Sequence, residues 1–182
     1  MKLSNRLAVS AKSKNGNITI RWRVCIHEAG HAVAGRQLLK CTVRTVVFDD
    51  GIGAADIGID TTALRTFEEA LAVAAGPAAE FLAEKYAPPQ VPPSAPLETL
   101  YPERALPLKA QLQKAPSDAV AIARWCIRGI EKEPDRWANR FHWIHREARI
   151  FVARHHQEIV EVATDLFTER ILTLPASGLR HG

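Results

Sequence analysis

A chain of 182 residues, 47% of them apolar and with a formal net charge of +4, is long enough for one buried core and gives no reason to expect two domains. The slight positive charge permits weak attraction to nucleic acid or acidic surfaces without indicating it, and nucleic acid is not an expected partner. Cys25, Cys41 and Cys126 are odd in number and lack CxxC spacing, which excludes a disulfide framework or a cysteine zinc knuckle and fits a reducing, cytoplasmic setting.

Taken in chain order, residues 1–19 are polar and aperiodic, and they read as a flexible leader with no apolar stretch that could serve as a signal peptide. From Ile20 to Leu39 the pattern becomes helical, with Val24, Ala32, Val33 and Leu38 among its apolar positions. Thr42 to Asp49 is rich in β-branched residues, and Asp50-Gly51 supplies a turn before the glycine-punctuated stretch Ile52 to Asp60, so a short β-hairpin is expected. Thr66 and Glu69 form a capping box for a second helix running through Leu71, Ala75 and Leu82 toward Tyr86. The apolar run from Ala70 to Ala83 is broken by Gly76, Pro77 and Glu80 and is shorter than the ~20 residues a bilayer span needs.

Seven prolines between Ala87 and Pro107 disfavour a helix interior and predict an extended surface loop, a connector or a lid. Ser117-Asp118 opens a third helix through Val120, Ile122 and Ile127, ended by Glu133-Pro134. Trp137, Phe141, Ile144, Ala148, Phe151 and His155 recur at spacings of four and three as the stripe of a fourth helix. Ile159, Val162, Ala163, Leu166 and Phe167 continue the pattern to about Leu172, where Pro175 and Gly178 end it, leaving residues 176–182 as a tail. The expected fold is therefore mainly α (α+β), with one domain over residues 20–175 and a small β-hairpin or edge strand.

His27-Glu28-Ala29-Gly30-His31 fits HExxH. Residues four apart on a helix share a face one turn apart, so both imidazoles reach one ion. Glu28 is rotated roughly 100° from His27, which keeps it out of the ligand shell yet beside an attacking water, as general base and then acid. Two imidazoles and a carboxylate make Zn2+ the expected ion, since they leave a tetrahedral position for water, whose pKa falls to about 7 in such sites. The domain is thus expected to be zincin-type, with HExxH on its active-site helix.

His27 to Gly35, reading HEAGHAVAG, resembles the active-site helix of the peptidase domain of FtsH-type ATP-dependent zinc proteases, and Ala75 to Glu80, reading AGPAAE, resembles that family's Gly-Arg-Ala-Ala-Glu segment. The family takes a third zinc ligand from an Asn-Asp-Leu stretch opening a later helix, and Ser117-Asp118-Ala119 matches it best. The resemblance therefore implies Asp118 as third ligand, with Glu80 and Glu147 as rivals because carboxylates commonly complete HExxH sites. The same position suits a plain capping aspartate. The resemblance further implies that Val43 to Phe48 is an edge strand beside the cleft, where Val43, Thr45, Val46 and Val47 pair with extended substrate, and that Ile57 and Ile59 belong to the adjoining strand. No GxxxxGK[ST] phosphate loop occurs in these residues, so stable substrates would need a separate unfoldase or ATPase partner.

Other signals have plainer readings. His142, His145, His155 and His156 lack the carboxylate pattern of a second metal site. Arginines 136, 140, 146 and 154 read as the solvated face opposite the stripe. Cys25, two residues before His27, points away from it and reads as packing, and Trp22 and Trp125 read as core or cleft-wall aromatics. The expected activity is zinc endopeptidase action on extended or unfolded polypeptide segments. The rival is a non-catalytic zinc-stabilised regulatory or protein-interaction module, against which Glu28 argues because metal retention alone does not need that carboxylate. Oligomerisation is left open.

Overall fold

The computed structural model describes residues 14–90, 94–113 and 117–177, with side chains from residue 19 onward. The chain is mainly helical with a small antiparallel sheet, as the composition leads one to expect. Three helices form the frame: α1 (Lys14–Leu38), α2 (Phe67–Ala79) and α7 (Pro134–Glu169) pack against one another. Trp22, Ile26 and Val33 of α1 share one core with Ala72, Ala75 and Ala79 of α2 and with Val152, Ile159 and Leu166 of α7. Alanines dominate the α1–α2 contact because the axes run close: a methyl group on Gly30 would lie 2.7 Å from the Ala75 carbonyl. No helix among the described residues is long and apolar enough to cross a membrane.

α1 begins at Lys14, inside the stretch expected to be a leader. Once the buried turns from Arg21 onward have formed, each further residue adds a hydrogen bond without a new nucleation cost, so polar residues extend the helix despite lacking a stripe. Residues 1–13 of the expected leader lie outside the described residues.

The capping box forms as expected, with Thr66 Oγ1 accepting from the Glu69 N–H at 3.1 Å and Glu69 Oε2 accepting from the Thr66 N–H at 3.2 Å. α2 continues through Pro77, but the helix expected to reach Tyr86 breaks at Glu80–Phe81 and resumes as α3 (Leu82–Lys85). Pro77 has no N–H to give the preceding turn, which loosens the helix just before the break.

The proline-rich stretch is not the expected extended loop, because it contains α4 (Leu97–Leu100) and α5 (Pro102–Leu112). Pro102 sits at a helix start, where a missing N–H costs nothing, and α5 carries Pro107 in its interior at the loss of one backbone bond. Leu97 and Ala105 anchor this segment on Phe48 in a small separate core. α6 (Asp118–Ile127) follows, with Ser117 at the N-cap position but no hydrogen bond from its side chain, and buries Ala121, Ile122 and Cys126 against Leu71, Ile144 and Ala148.

The hairpin pairs β1 (Val43–Val47) with β2 (Gly53–Asp56), and Val47 lies opposite Gly53. Ile57 and Ile59 fall just beyond β2 and not within it. A third strand, β3 (Ile171–Leu174), stands where the apolar pattern predicts helix as far as about Leu172. α7 instead ends at Glu169, because Arg170 takes a left-handed conformation at φ 67° and turns the chain into the open side of β1. What holds this uncommon backbone is the Arg170 side chain, nearly fully buried, which donates to Asp49 Oδ1 at 2.6 Å and to the Ser94 carbonyl at 2.7 Å. Arg21 of α1 also pairs with Asp49 and donates to the Phe167 carbonyl, so one carboxylate ties the hairpin turn to both long helices.

The strand order β2-β1-β3 makes β1 central, which corrects the expectation that Val43 to Phe48 forms an edge. Val43, Thr45 and Val47 are fully buried, and the backbone of β1 is spent on β2 and β3. Val43, Thr45, Val46 and Val47 therefore have no backbone face to offer a substrate. The free edge nearest α1 belongs to β2.

Candidate metal centre

His27, Glu28 and His31 lie in the middle of α1, and Asp118 is the first residue of α6. The Nε2 atoms of His27 and His31 are 3.1 Å apart, and Asp118 Oδ2 lies 3.0 Å from the first and 3.2 Å from the second. Behind this triangle, His31 Nδ1 donates to the Ala72 carbonyl at 2.9 Å, and His27 Nδ1 donates to Glu80 Oε1 at 2.9 Å. A carbonyl and a carboxylate only accept, so each neutral ring carries its hydrogen on Nδ1 and turns a bare Nε2 lone pair toward Asp118.

Three acceptor atoms facing one another at this range repel unless positive charge lies between them. The edges fit a metal well: four-coordinate zinc with bonds of ~2.0–2.1 Å spaces its ligand atoms about 3.3 Å apart. Among the described residues, His27, His31 and Asp118 are the group able to hold a metal ion. The structure thus brings together the three expected ligands and separates the two rivals from them. Glu80 bonds the far nitrogen of His27 and also accepts from Arg23 Nε at 2.6 Å, so it fixes the orientation of that ring from behind. Glu147 sits on α7 and pairs with Arg146 at 2.8 Å.

The two sequence motifs meet here for steric reasons. α2 passes behind His31, and a methyl group on Gly76 would collide with the imidazole ring, so only glycine lets the helix approach closely enough for the Ala72 carbonyl to fix that ring. Four residues after Gly76 the helix ends, and Glu80 reaches His27 from that end. On the opposite wall, Gly53 of β2 stands against Glu28, where a methyl group would lie 2.7 Å from Glu28 Oε1. Cys25 is fully buried on the far side of α1, and burial pushes its thiol up to about 12, as befits packing.

Burial pulls His31 toward neutrality, but the Asp118 hydrogen bond and the charges of Asp118 and Glu28 outweigh it and raise the ring to about 9. His27 moves the same way, burial being opposed chiefly by its bond to Asp118. Asp118 itself is held well below the usual carboxylate range, because the hydrogen bonds to both rings overcome its burial. Burial raises Glu28, and the neighbouring imidazoles only partly offset this. With His31 raised to about 9, the metal-free ring holds an extra proton at pH 7 that a cation must displace, so binding releases protons and weakens as pH falls. Zinc titration by calorimetry in buffers of different ionisation enthalpy is expected to show at least half a proton released at pH 7. No release at all would mean the imidazoles are not ligands.

A cleft of about 310 Å³ opens over the cluster, walled by His27, Glu28, Asp118, Val73, Ile57 and the β2 residues Gly53 to Ala55. A second hollow of about 390 Å³ continues past Glu28 and Gly53 toward Arg23 and Glu80, with Leu112 of α5 bordering both. The β2 wall and Leu112 were missed by sequence reasoning. Gly53 carries the only local hint, as a glycine inside a strand often marks close approach of another group. Comparison with known proteins adds nothing to this geometry: no family model, curated protein or solved structure matches the chain.

Proposed function

We propose that this chain is a zinc-dependent endopeptidase acting on extended or unfolded polypeptide segments. The observation that carries the reading is the convergence of His27 Nε2, His31 Nε2 and Asp118 Oδ2, with Glu28 adjacent, inside a cleft bordered by an unpaired strand edge. The donor set of two imidazoles and one carboxylate suits zinc, which when bound supplies Lewis acidity toward water and toward a peptide carbonyl.

The work of the chain's own residues divides as follows. His27, His31 and Asp118 hold the ion, while Ala72 and Glu80 fix the two rings from behind. Glu28 takes a proton from the water that adds to the scissile carbonyl, then passes it to the amine as the C–N bond breaks. Its buried setting favours this role, because a carboxylate raised toward neutrality is a better proton acceptor. The outer backbone of β2 lies along the cleft, and the small side chains of Gly53, Ala54 and Ala55 leave room for an extended segment to add as a further strand. Such a segment must already be unfolded, which accords with a cytoplasmic role beside a separate unfoldase.

The test is a peptidase assay on a denatured protein substrate with metal analysis in parallel. The purified protein is expected to carry about one zinc per chain, to lose turnover when a chelator strips the metal, and to regain it when zinc alone is restored. Turnover that persists in fully stripped protein rules the reading out.

A further inference from the structure

A third hollow, of about 370 Å³, lies beside the cleft. The same two segments wall both. Thr61 and Asp118 border the cleft, and Thr62 and Ala121, the next residue and the next turn, border this hollow. Its apolar wall includes Leu64, Ala121 and Trp125, and it carries three charged residues, Arg124, Arg128 and Glu131.

Arginines near the end of a helix commonly neutralise its free carbonyls. Here Arg140 of α7 already serves that end, donating to the carbonyls of Trp125, Cys126 and Arg128 at 3.2–3.3 Å. Arg124 is exposed and, among the described residues, its guanidinium has no hydrogen-bond or ion-pair partner, only its backbone carbonyl accepting from the Arg128 N–H. Arg128 spends Nη1 on the Leu64 carbonyl at 3.1 Å, which leaves its remaining donors available. Glu131 stays ionised, its Oε1 accepting from the Gly129 N–H at 2.9 Å, so the two guanidinium groups leave the hollow with an excess of one positive charge. An apolar wall with two such guanidinium groups complements a carboxylate carried on an otherwise apolar stretch of polypeptide.

We propose that this hollow is a substrate-selecting exosite that takes an acidic side chain of the polypeptide held in the cleft. The inference rests on the peptidase reading. Arg124 and Arg128 lie six and ten residues beyond Asp118, about 9 and 15 Å along the helix direction. An extended chain advances ~3.3 Å per residue, so the acidic residue falls roughly three to five positions from the bond cleaved.

Paired fluorescent peptides, amidated at the C-terminus and differing by Glu or Gln at those positions, test this. Binding is measured by polarisation on the zinc-loaded Glu28→Gln protein, and cleavage on the wild type. The Glu peptide is expected to bind about three- to tenfold tighter at low salt, with the advantage appearing in KM and not in kcat. Arg124→Gln should remove most of that preference without altering cleavage of the Gln peptide, and Arg124→Glu should transfer the preference to a Lys peptide. Because the Arg124 side chain is exposed and unpartnered, these variants are expected to fold. Equal binding of the Glu and Gln peptides, or a preference unchanged in Arg124→Gln, overturns the exosite. So does tight binding that appears only with a third, non-amidated peptide, which would make the hollow a reader of chain ends. A Glu preference in binding with no zinc-dependent cleavage upholds the hollow and overturns the peptidase reading.

Discussion

Replacing Glu28 by Gln is expected to lower hydrolysis by roughly two to four orders of magnitude, the usual contribution of a positioned acid–base group, while zinc content stays at the wild-type level. The amide keeps the size of the carboxylate and its place against Gly53 but cannot accept a proton. Glu28 is buried, so neutral Gln is also tolerated by the fold at least as well as a charged group. Chelator-sensitive turnover and metal stoichiometry, measured on both proteins, give the answer. Undiminished turnover in the variant removes Glu28 from the mechanism. A wild type that holds zinc yet never cleaves returns the chain to the rival class of metal-stabilised interaction modules.

The second large effect concerns Asp118, and Glu80 supplies its control. Asp118→Asn is expected to weaken zinc binding more than 100-fold, because it removes the one anionic oxygen placed between the two Nε2 atoms. Glu80→Gln should cost only about 10- to 100-fold, the range for a residue that orients a ligand from behind, since a carboxamide oxygen can still accept from His27 Nδ1. Competition with a zinc-binding dye gives both affinities. Thermal unfolding with and without zinc provides a second measure, because zinc bound only by the native state stabilises it in proportion to ln(1 + [Zn]/Kd). If the order of the two variants is reversed, Glu80 is the ligand and Asp118 merely caps α6. Comparable melting temperatures of the metal-free proteins would show that neither change acts through the fold.

Much of this site is legible in the sequence because it is local. HExxH states its geometry through helix periodicity alone: with α1 formed, the two rings must lie one turn apart on one face, and Glu28 must lie to the side. The capping box at Thr66 and Glu69, the hairpin turn at Asp50-Gly51 and the start of α6 at Ser117-Asp118 are legible for the same reason, each being settled by interactions within about four residues. Misreadings arise where distant partners decide. Ile171 to Leu174 are apolar enough to continue α7, and only the open side of β1, together with the hold of Asp49 on Arg170, turns them into a strand. The prolines of α5 argued against a helix, yet Leu97 and Ala105 docked on Phe48 stabilise one. Strand order is likewise invisible in β1 itself, since its partner β3 lies more than 100 residues further along the chain.

What the sequence determined by itself is therefore the HExxH helix: two imidazoles and a carboxylate in fixed angular relation, a consequence of 3.6 residues per turn. What the tertiary structure alone decided is which carboxylate faces those imidazoles and which stands behind them. By residue type alone Glu80 and Asp118 are alike, and beyond the resemblance that favours Asp118 it is the packing that separates them. Gly76 draws α2 close enough that its end delivers Glu80 to the back of His27, while α6 starts on the open side and delivers Asp118 to the front. It also decided that β2, and not β1, borders the cleft, because pairing with β3 consumes the other edge of the central strand.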